Sequence, residues 1–275
     1  MNAAVQESKN CAEGSVKPLE VVPPAQIALL VERVGIKKCK LNFVQTLTLG
    51  ILAGAFIAFG GMFFTVVVTG SELGYGPTRL IGGLAFSLGL FFVVVGGAEL
   101  FTGNSLIVLA WMEKRISSKS LLRNWGIVYA GNLIGALGTV VLVHLSGTLE
   151  QGGGAVAQTA QSIAQAKVSL GFIPAFVRGV LCNTLVCLAV WMCFAAHTVS
   201  GKAVAIVFPI TAFVALGFEH SVANMYLIPI AALQSGSTIS IFGFLGNLIP
   251  VTLGNIVGGG ALVALVYWLV YLKES

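Results

Sequence analysis

Length, composition and charge place this chain in a lipid bilayer. Of its 275 residues, 57% are hydrophobic and only 9% are charged, whereas an ordinary soluble domain carries about 25% charged residues. The formal net charge of +5 at pH 7 is small, which argues against nucleic acid as a partner. The composition therefore predicts a membrane protein rather than a domain that folds in water.

Residues 1–40 differ from the rest of the chain and form a predicted cytoplasmic N-terminal segment. Residues 1–20 are polar and are expected to be disordered. From Pro24 the sequence reads PAQIALLVERV, with the proline in the first turn of a predicted helix. Its apolar positions and the basic cluster that follows suit a short interfacial helix under the cytoplasmic leaflet. A signal peptide would carry its positive residues before the apolar core, so we reject that interpretation.

Residues 41–275 form a predicted transport domain with six spans, because crossing a bilayer takes about 20 apolar residues. The spans lie near residues 43–70, 80–112, 124–147, 171–197, 203–234 and 245–272. The second and fifth run past 30 residues, and a straight helix of that length would overshoot the membrane. Each is therefore predicted to break midway. Irregular backbone at that depth is tolerated only where protein buries it or it lines a cavity, so the breaks indicate the functional site.

Basic residues next to the spans predict the orientation of the chain. One set of connections carries Lys37, Lys38, Lys40, Lys114, Arg115, Lys119, Arg123, Lys202 and Lys273, while the opposite set carries few, among them Arg79 and Lys167. The positive-inside rule then places both termini in the cytoplasm. Three spans in each half make the halves, residues 41–147 and 171–272, inverted copies of one another.

One motif occurs twice inside the apolar stretches. Residues 97–104 read GAELFTGN and residues 217–224 read GFEHSVAN, and both fit Gly-x-Glu-x-x-x-x-Asn. About 30 residues later come GNLIG at 131–135 and GNIVG at 254–258, so that the two offsets are 120 and 123 residues. Polar, glycine-rich interruptions at corresponding points of two apolar halves are typical of an internally duplicated transporter or channel.

Polar residues within the spans are the candidates for the site, because an ionisable side chain at mid-bilayer costs at least ~2.5 kcal/mol on insertion scales. The ionisable ones are Glu99, Arg178, Glu219 and His220, and the uncharged ones are Thr102, Asn104, Asn183 and Asn224. His220 breaks the duplication, since Leu100 stands at its place in the first half. A histidine is neutral or charged near neutral pH, which suits a weak acid or a proton. The alternative is a buried structural imidazole.

The paired glutamates, Glu99 and Glu219, favour a structural role. At the same position of both motifs, each is expected to bind free N–H groups at its helix break, where a carboxylate is stabilised. Asn104 and Asn224 are expected to brace the same breaks. Direct contact with substrate is the alternative for the glutamates.

Five further observations concern short runs of sequence: FSLGL at 86–90, AELFTGN at 98–104, Asn124-Trp125 with Gly131-Asn132, residues 183–191, and GFEHSVANM at 217–225. Together these runs resemble the formate/nitrite transporter family. The resemblance covers roughly residues 25–270. It implies a homopentamer in the bacterial cytoplasmic membrane, with an aquaporin-like protomer that holds its own pore and a central axis that does not conduct substrate.

The resemblance also implies roles for eight residues of the pathway. The polar chamber is formed by His220, Thr102 and Asn183. The outer and inner apolar constrictions are lined by two pairs, Phe86 with Phe213 and Leu90 with Leu100. Lys167 resembles a basic residue of the outer vestibule that attracts anions.

The physical hypothesis concerns how a weak acid crosses apolar constrictions. A bare carboxylate is strongly disfavoured there, while a small acid with a pKa near 3.9 is only ~0.1% neutral at pH 7. We hypothesise that a protonated His220 holds the anion or donates its proton, so that neutral acid leaves through the far constriction. Formate is the expected substrate, nitrite is the alternative, and hydrosulfide, acetate and lactate are expected only as minor permeants.

Two other classes of function are weighed. An intramembrane enzyme is not expected, because neighbours such as His220 and Ser221 point about 100° apart on a helix and no hydrolase or metalloprotease motif occurs. An aquaporin-like channel for neutral solutes would show paired Asn-Pro-Ala signatures, and the repeated elements here lack the proline. The five cysteines have no metal-ligand spacing, so neither a metal nor a cofactor is expected.

Overall fold

The structure is a computed structural model that describes residues 21–234 and 236–273. Every regular element in these ranges is helical, which confirms the predicted all-helical class. The α-helices in chain order are α1 (Pro24–Lys40), α2 (Phe43–Val68), α3 (Tyr75–Gly96), α4 (Val108–Met112), α5 (Ser118–Leu145), α6 (Ala155–Val168), α7 (Phe172–Ala195), α8 (Val199–Ala215), α9 (Ser221–Leu227), α10 (Pro229–Ala232), α11 (Ile241–Ile256) and α12 (Val266–Tyr271). The segment 1–20, expected to be disordered, lies outside the described residues.

Within the described residues, five helical stretches are long and apolar enough to cross a membrane by themselves. They are α2, α3, α5, α7 and the continuous stretch Ile241–Tyr271, which joins α11 to α12 through a π-helical segment, Val257–Leu265. The predicted fifth span, near 203–234, is instead divided into the 17-residue α8 and the short α9 and α10. Large apolar side chains cover the outer surface, with Phe208 and Phe242 more than two thirds exposed, as a lipid-facing surface requires.

The predicted second and fifth spans are both interrupted at the repeated motif. Helix α3 ends before Gly97 (φ +78°), and a 3₁₀ turn, Gly103–Ile107, leads into α4. Helix α8 ends shortly before Gly217 (φ +72°), and α9 begins at Ser221. A left-handed residue after a helix favours glycine, which has no Cβ to clash. The first glycine of each Gly-x-Glu motif therefore ends its helix.

Helices α2 and α5 pack closely in the first half, as α7 and α11 do in the second. A Cβ on Gly135 would lie against the carbonyl oxygen of Ile51, and one on Gly258 against that of Val180. These are the last glycines of GNLIG and GNIVG. The small residues therefore let the backbones approach to contact, as small residues do in membrane bundles.

Helix α6 was not expected, because residues 147–171 are interpreted from the sequence as a loop. Three glycines with positive φ at 152–154 make the turn before it. Its buried positions, Val156, Ala160 and Ala164, recur every four residues and form one helix face. This alanine- and glutamine-rich segment has a low hydropathy, so a search for apolar spans does not detect it. Helix α6 places Lys167 in its last turn.

Candidate transport pathway

Each helix break holds a buried glutamate that pairs with a lysine from a short helix. Lys38, in the last turn of α1, places its Nζ atom 2.9 Å from Oε1 of Glu99. Lys167, in the last turn of α6, places its Nζ atom 2.9 Å from Oε1 of Glu219. Both glutamates are at least nine-tenths buried. A buried charge is tolerated when it is paired and hydrogen-bonded, so these ion pairs make the charged breaks stable.

The glutamate and asparagine of each motif bind one another. The Nδ2 atom of Asn104 donates to Oε2 of Glu99 at 2.7 Å, and that of Asn224 donates to Oε2 of Glu219 at 2.7 Å. The same two amides also donate to Asn124 (3.0 Å) and Asn247 (2.7 Å), respectively. The five-residue spacing of the motif therefore closes a side-chain network at each break.

Two further asparagines, Asn132 and Asn255, satisfy the backbone of the breaks. Asn132 accepts from the Phe101 N–H at 2.9 Å and donates to the carbonyls of Gly50 and Glu99. Asn255 accepts from the Ser221 N–H at 2.9 Å and donates to the carbonyls of Gly179 and Glu219. The expectation that the glutamates bind the free N–H groups was wrong. Their carboxylates accept hydrogen bonds from lysine and asparagine side chains, whereas Asn132 and Asn255 bind the free backbone groups.

The break of the second span meets that of the fifth at a buried polar contact. Oγ1 of Thr102 lies 2.9 Å from Nε2 of His220, and both side chains are buried. On the other side of the ring, Nδ1 accepts from the Ala223 N–H at 3.0 Å and caps α9. A backbone N–H only donates, so Nδ1 carries a lone pair here. The contacts are those of a neutral ring whose Nε2–H donates to Thr102.

Asn183 holds the loop that carries Thr102. Its Nδ2 atom lies 2.6 Å from the carbonyl oxygen of Asn255, 3.2 Å from that of Thr102 and 3.1 Å from Oγ of Ser105. The amide has two hydrogens for these three acceptors. In this arrangement Asn183 positions the threonine loop, with no N–H to spare for an anion.

The four apolar residues implied for the constrictions lie in two pairs around this contact. The rings of Phe86 and Phe213 meet edge to face with centroids 5.6 Å apart, and the Phe213 ring stacks on His220 at 6.0 Å. Leu90 and Leu100 are each 2% exposed and line the opposite side. The polar contact is thus flanked by an aromatic pair on one side and an aliphatic pair on the other.

Two cavities approach the contact from opposite sides. The histidine-side cavity has a volume of about 390 Å³ and reaches His220 past Phe86 and Phe213, with Lys167 and Glu219 in its wall. The leucine-side cavity has a volume of about 250 Å³ and is bounded by Leu90, Leu100, Lys38 and Glu99. Each cavity therefore offers one lysine–glutamate pair and ends at one pair of apolar side chains.

Lys38, Asn124 and Asn247 belong to the networks but were not predicted from the sequence as site residues. Their spacing could have revealed this role. Lys38 and Lys167 each stand five residues before the first residue of a span, and Asn124–Asn132 and Asn247–Asn255 are both eight residues apart. A comparison of the two halves position by position would have found all three.

The two networks are not identical. Lys38 also donates to Oδ1 of Asn104, at 2.8 Å. Lys167 makes no matching bond, and Oδ1 of the buried Asn224 has no partner among the described residues. Asn247 donates to Oε2 of Glu219 at 3.4 Å, a bond that Asn124 does not make with Glu99.

Comparison with known proteins agrees with this architecture. The family described as Formate/nitrite transporter matches residues 25–269. The formate channel FocA of Escherichia coli strain K12 is 40% identical over 94% of this chain and 97% of its own. A probable formate transporter of Methanothermobacter thermautotrophicus is 45% identical over 91% of this chain and 97% of its own. A solved structure described as a pentameric formate channel with formate bound is 40% identical, with a TM-score of 0.77 over 84% of this chain and 98% of that one. The chain belongs to the formate/nitrite transporter family.

Proposed function

We propose that this protein transports formate across the membrane through a pore within each protomer. The observation that carries the proposal is the Thr102–His220 contact, a buried polar point between two cavities that each contain a lysine. The relatives support formate as the substrate, because those compared above are described as formate channels or transporters. The matching family is one of transporters.

The architecture that we propose has six spans in two inverted three-span repeats, with an aquaporin-like protomer. The mirrored networks support it, since Lys–Glu–Asn–Asn clusters occur at corresponding positions of both halves, and the lysine, glutamate and first asparagine of each line separate cavities. We further propose that the protomers form a homopentamer, which is how the solved neighbour is described. The location is the bacterial cytoplasmic membrane, with the N-terminal segment 1–40 and the C-terminus in the cytoplasm. The distribution of basic residues supports this orientation.

The first step of the mechanism is capture of the anion in the histidine-side cavity. Lys167 can bind an anion with the N–H groups that Glu219 does not use. This cavity therefore offers a cation to the anionic form of the substrate.

Passage then depends on the neutral imidazole. Nε2–H of His220 can donate to the permeating acid in place of Thr102, while Phe86 and Phe213 exclude water. A second proton on the ring would have to go to Nδ1, which would break the cap on α9 at a cost of about 0.5–2 kcal/mol. In this conformation a neutral His220 fits better than the protonated one hypothesised from the sequence. The proton then travels with the substrate as neutral acid.

Nitrite is the second candidate. Formate and nitrite are both small planar monovalent anions with two terminal oxygens, and the name of the family includes both. The proposed chemistry separates them weakly, but the relatives compared here favour formate.

The test is flux into proteoliposomes that contain the purified protein. Formate, nitrite and glycerol uptake are compared over about pH 5 to 8 for the wild type and for His220→Asn. We expect formate uptake that rises steeply as pH falls and is reduced by the substitution. Glycerol permeation with no anion uptake would instead indicate an aquaporin-like channel for neutral solutes. Formate uptake that is indifferent to both pH and His220 would refute the neutral-acid scheme.

A further inference from the structure

Two arginines of the histidine-side cavity are not used by the mechanism above. Arg79 lies in the first turns of α3, and Arg178 lies in α7. Arg178 was singled out from the sequence as an ionisable residue within the membrane, but the structure shows it exposed in the wall of the cavity. A cation in a membrane span is costly and indicates a functional site.

The end of α8 brings the two guanidinium groups to the same place. Arg79 donates to the carbonyls of Val214 and Ala215. Arg178 donates to the carbonyl of Gly217 at 3.5 Å, and a Cβ on Gly217 would lie 3.5 Å from Nη2 of Arg79. The left-handed glycine that ends α8 therefore lies between the arginines.

These contacts leave most of the hydrogen-bonding capacity of both arginines unused. A guanidinium has five N–H donors, of which Arg79 uses two and Arg178 one within the described residues. Neither Arg79 nor Arg178 belongs to an ion pair within the described residues. The ion pairs there join Lys38 to Glu99, Arg115 to Glu32 and Lys167 to Glu219. The charge of Lys167 is matched by Glu219, so the arginines leave the cavity with an excess of positive charge.

We propose that Arg79 and Arg178 form an anion-binding subsite at the mouth of the histidine-side cavity, which selects planar anions with two terminal oxygens over spherical anions. A guanidinium matches two coplanar oxygens with two parallel N–H groups, whereas a lysine ammonium acts as a point charge. The subsite holds formate or nitrite before Lys167 receives it. This inference rests on the proposed function for the route that the anion follows.

A structural role alone would make different predictions. Arginine at a helix C-terminus also stabilises exposed carbonyls, and Arg123 does this elsewhere by donating to the Leu41 carbonyl at 3.3 Å. Arg123 lines neither cavity. It is therefore the matched control for an arginine that only caps.

The experiment uses the full-length protein in right-side-out and inside-out membrane vesicles. Formate uptake is measured against formate concentration, with chloride as a spherical competitor, for the wild type, Arg79→Lys, Arg178→Lys and Arg123→Lys. Each lysine keeps the charge but loses the paired N–H groups. We expect the first two variants to raise the half-saturating formate concentration about fivefold from one side only. Maximal uptake and inhibition by chloride should stay unchanged, and Arg123→Lys should match the wild type.

Two results would overturn the inference. One is a half-saturating formate concentration in Arg79→Lys and Arg178→Lys that equals that of the wild type. The other is a loss of chloride inhibition equal to the loss of formate affinity, which would mean that the arginines do not distinguish planar from spherical anions. A second readout does not need transport. Formate should raise the melting temperature of the wild type more than chloride does at an equal concentration, and Arg178→Lys should abolish this difference. Absence of formate uptake by the wild type would refute the proposed function, while the melting shift would still decide for or against the subsite.

Discussion

Removal of one partner from the buried Lys167–Glu219 pair should destabilise the protein strongly. The atoms lie 2.9 Å apart and the side chains are 13% and 5% exposed. At an effective dielectric of about 20 their attraction is ~6 kcal/mol, most of which offsets the cost of burying the two charges. Lys167→Met keeps the length of the side chain but leaves Glu219 buried without its cation. We expect a loss of about 3–5 kcal/mol in the free energy of unfolding.

The assay measures unfolding of the purified protein in detergent by thermal or denaturant titration. The double variant Lys167→Met with Glu219→Gln removes both charges, so it should recover more than half of the loss. Arg115→Gln provides the contrast, because that arginine is 63% exposed and an ion pair at the surface contributes little to stability. A Lys167→Met variant as stable as the wild type, or a double variant no better than the single one, would refute the reasoning.

Three further predictions concern the packing and the breaks. Gly135→Ala should cost about 3 kcal/mol of unfolding free energy, because the methyl group meets a backbone carbonyl of α2; Gly138→Ala, in open space on the same helix, should cost nothing in the same thermal titration. Thr102→Val removes the partner of the buried Nε2–H of His220, so it should lower formate uptake severalfold and cost about 1–3 kcal/mol of unfolding free energy; Thr102→Ser keeps the hydroxyl and should restore both. Asn132→Leu leaves three backbone groups without partners and should cost about 3 kcal/mol or more, so a melting temperature equal to that of the wild type would contradict its bracing role.

Much of the fold could be predicted because membrane constraints act locally. Hydropathy located the five stretches that are long and apolar enough to cross a membrane within the described residues, and the thickness of a bilayer required the predicted second and fifth spans to be interrupted. The repeated Gly-x-Glu motif marked both interruptions, and its glycines do adopt the left-handed conformation that ends α3 and α8. Helix α6 was missed because an alanine- and glutamine-rich helix outside the apolar spans has no strong hydropathy signal.

The sequence by itself determined which residues were candidates for the site, because a polar side chain in an apolar span is costly and indicates a functional or structural role. The duplication showed which residues of the first half correspond to those of the second. Only the tertiary structure decided which atoms meet. Thr102 and His220 come from different halves of the chain, and each buried glutamate meets a lysine more than 50 residues away. The backbone N–H groups of the breaks donate to Asn132 and Asn255 rather than to the glutamates. Such pairings depend on how the two halves pack, because hydropathy and spacing describe one segment at a time while a hydrogen bond joins two.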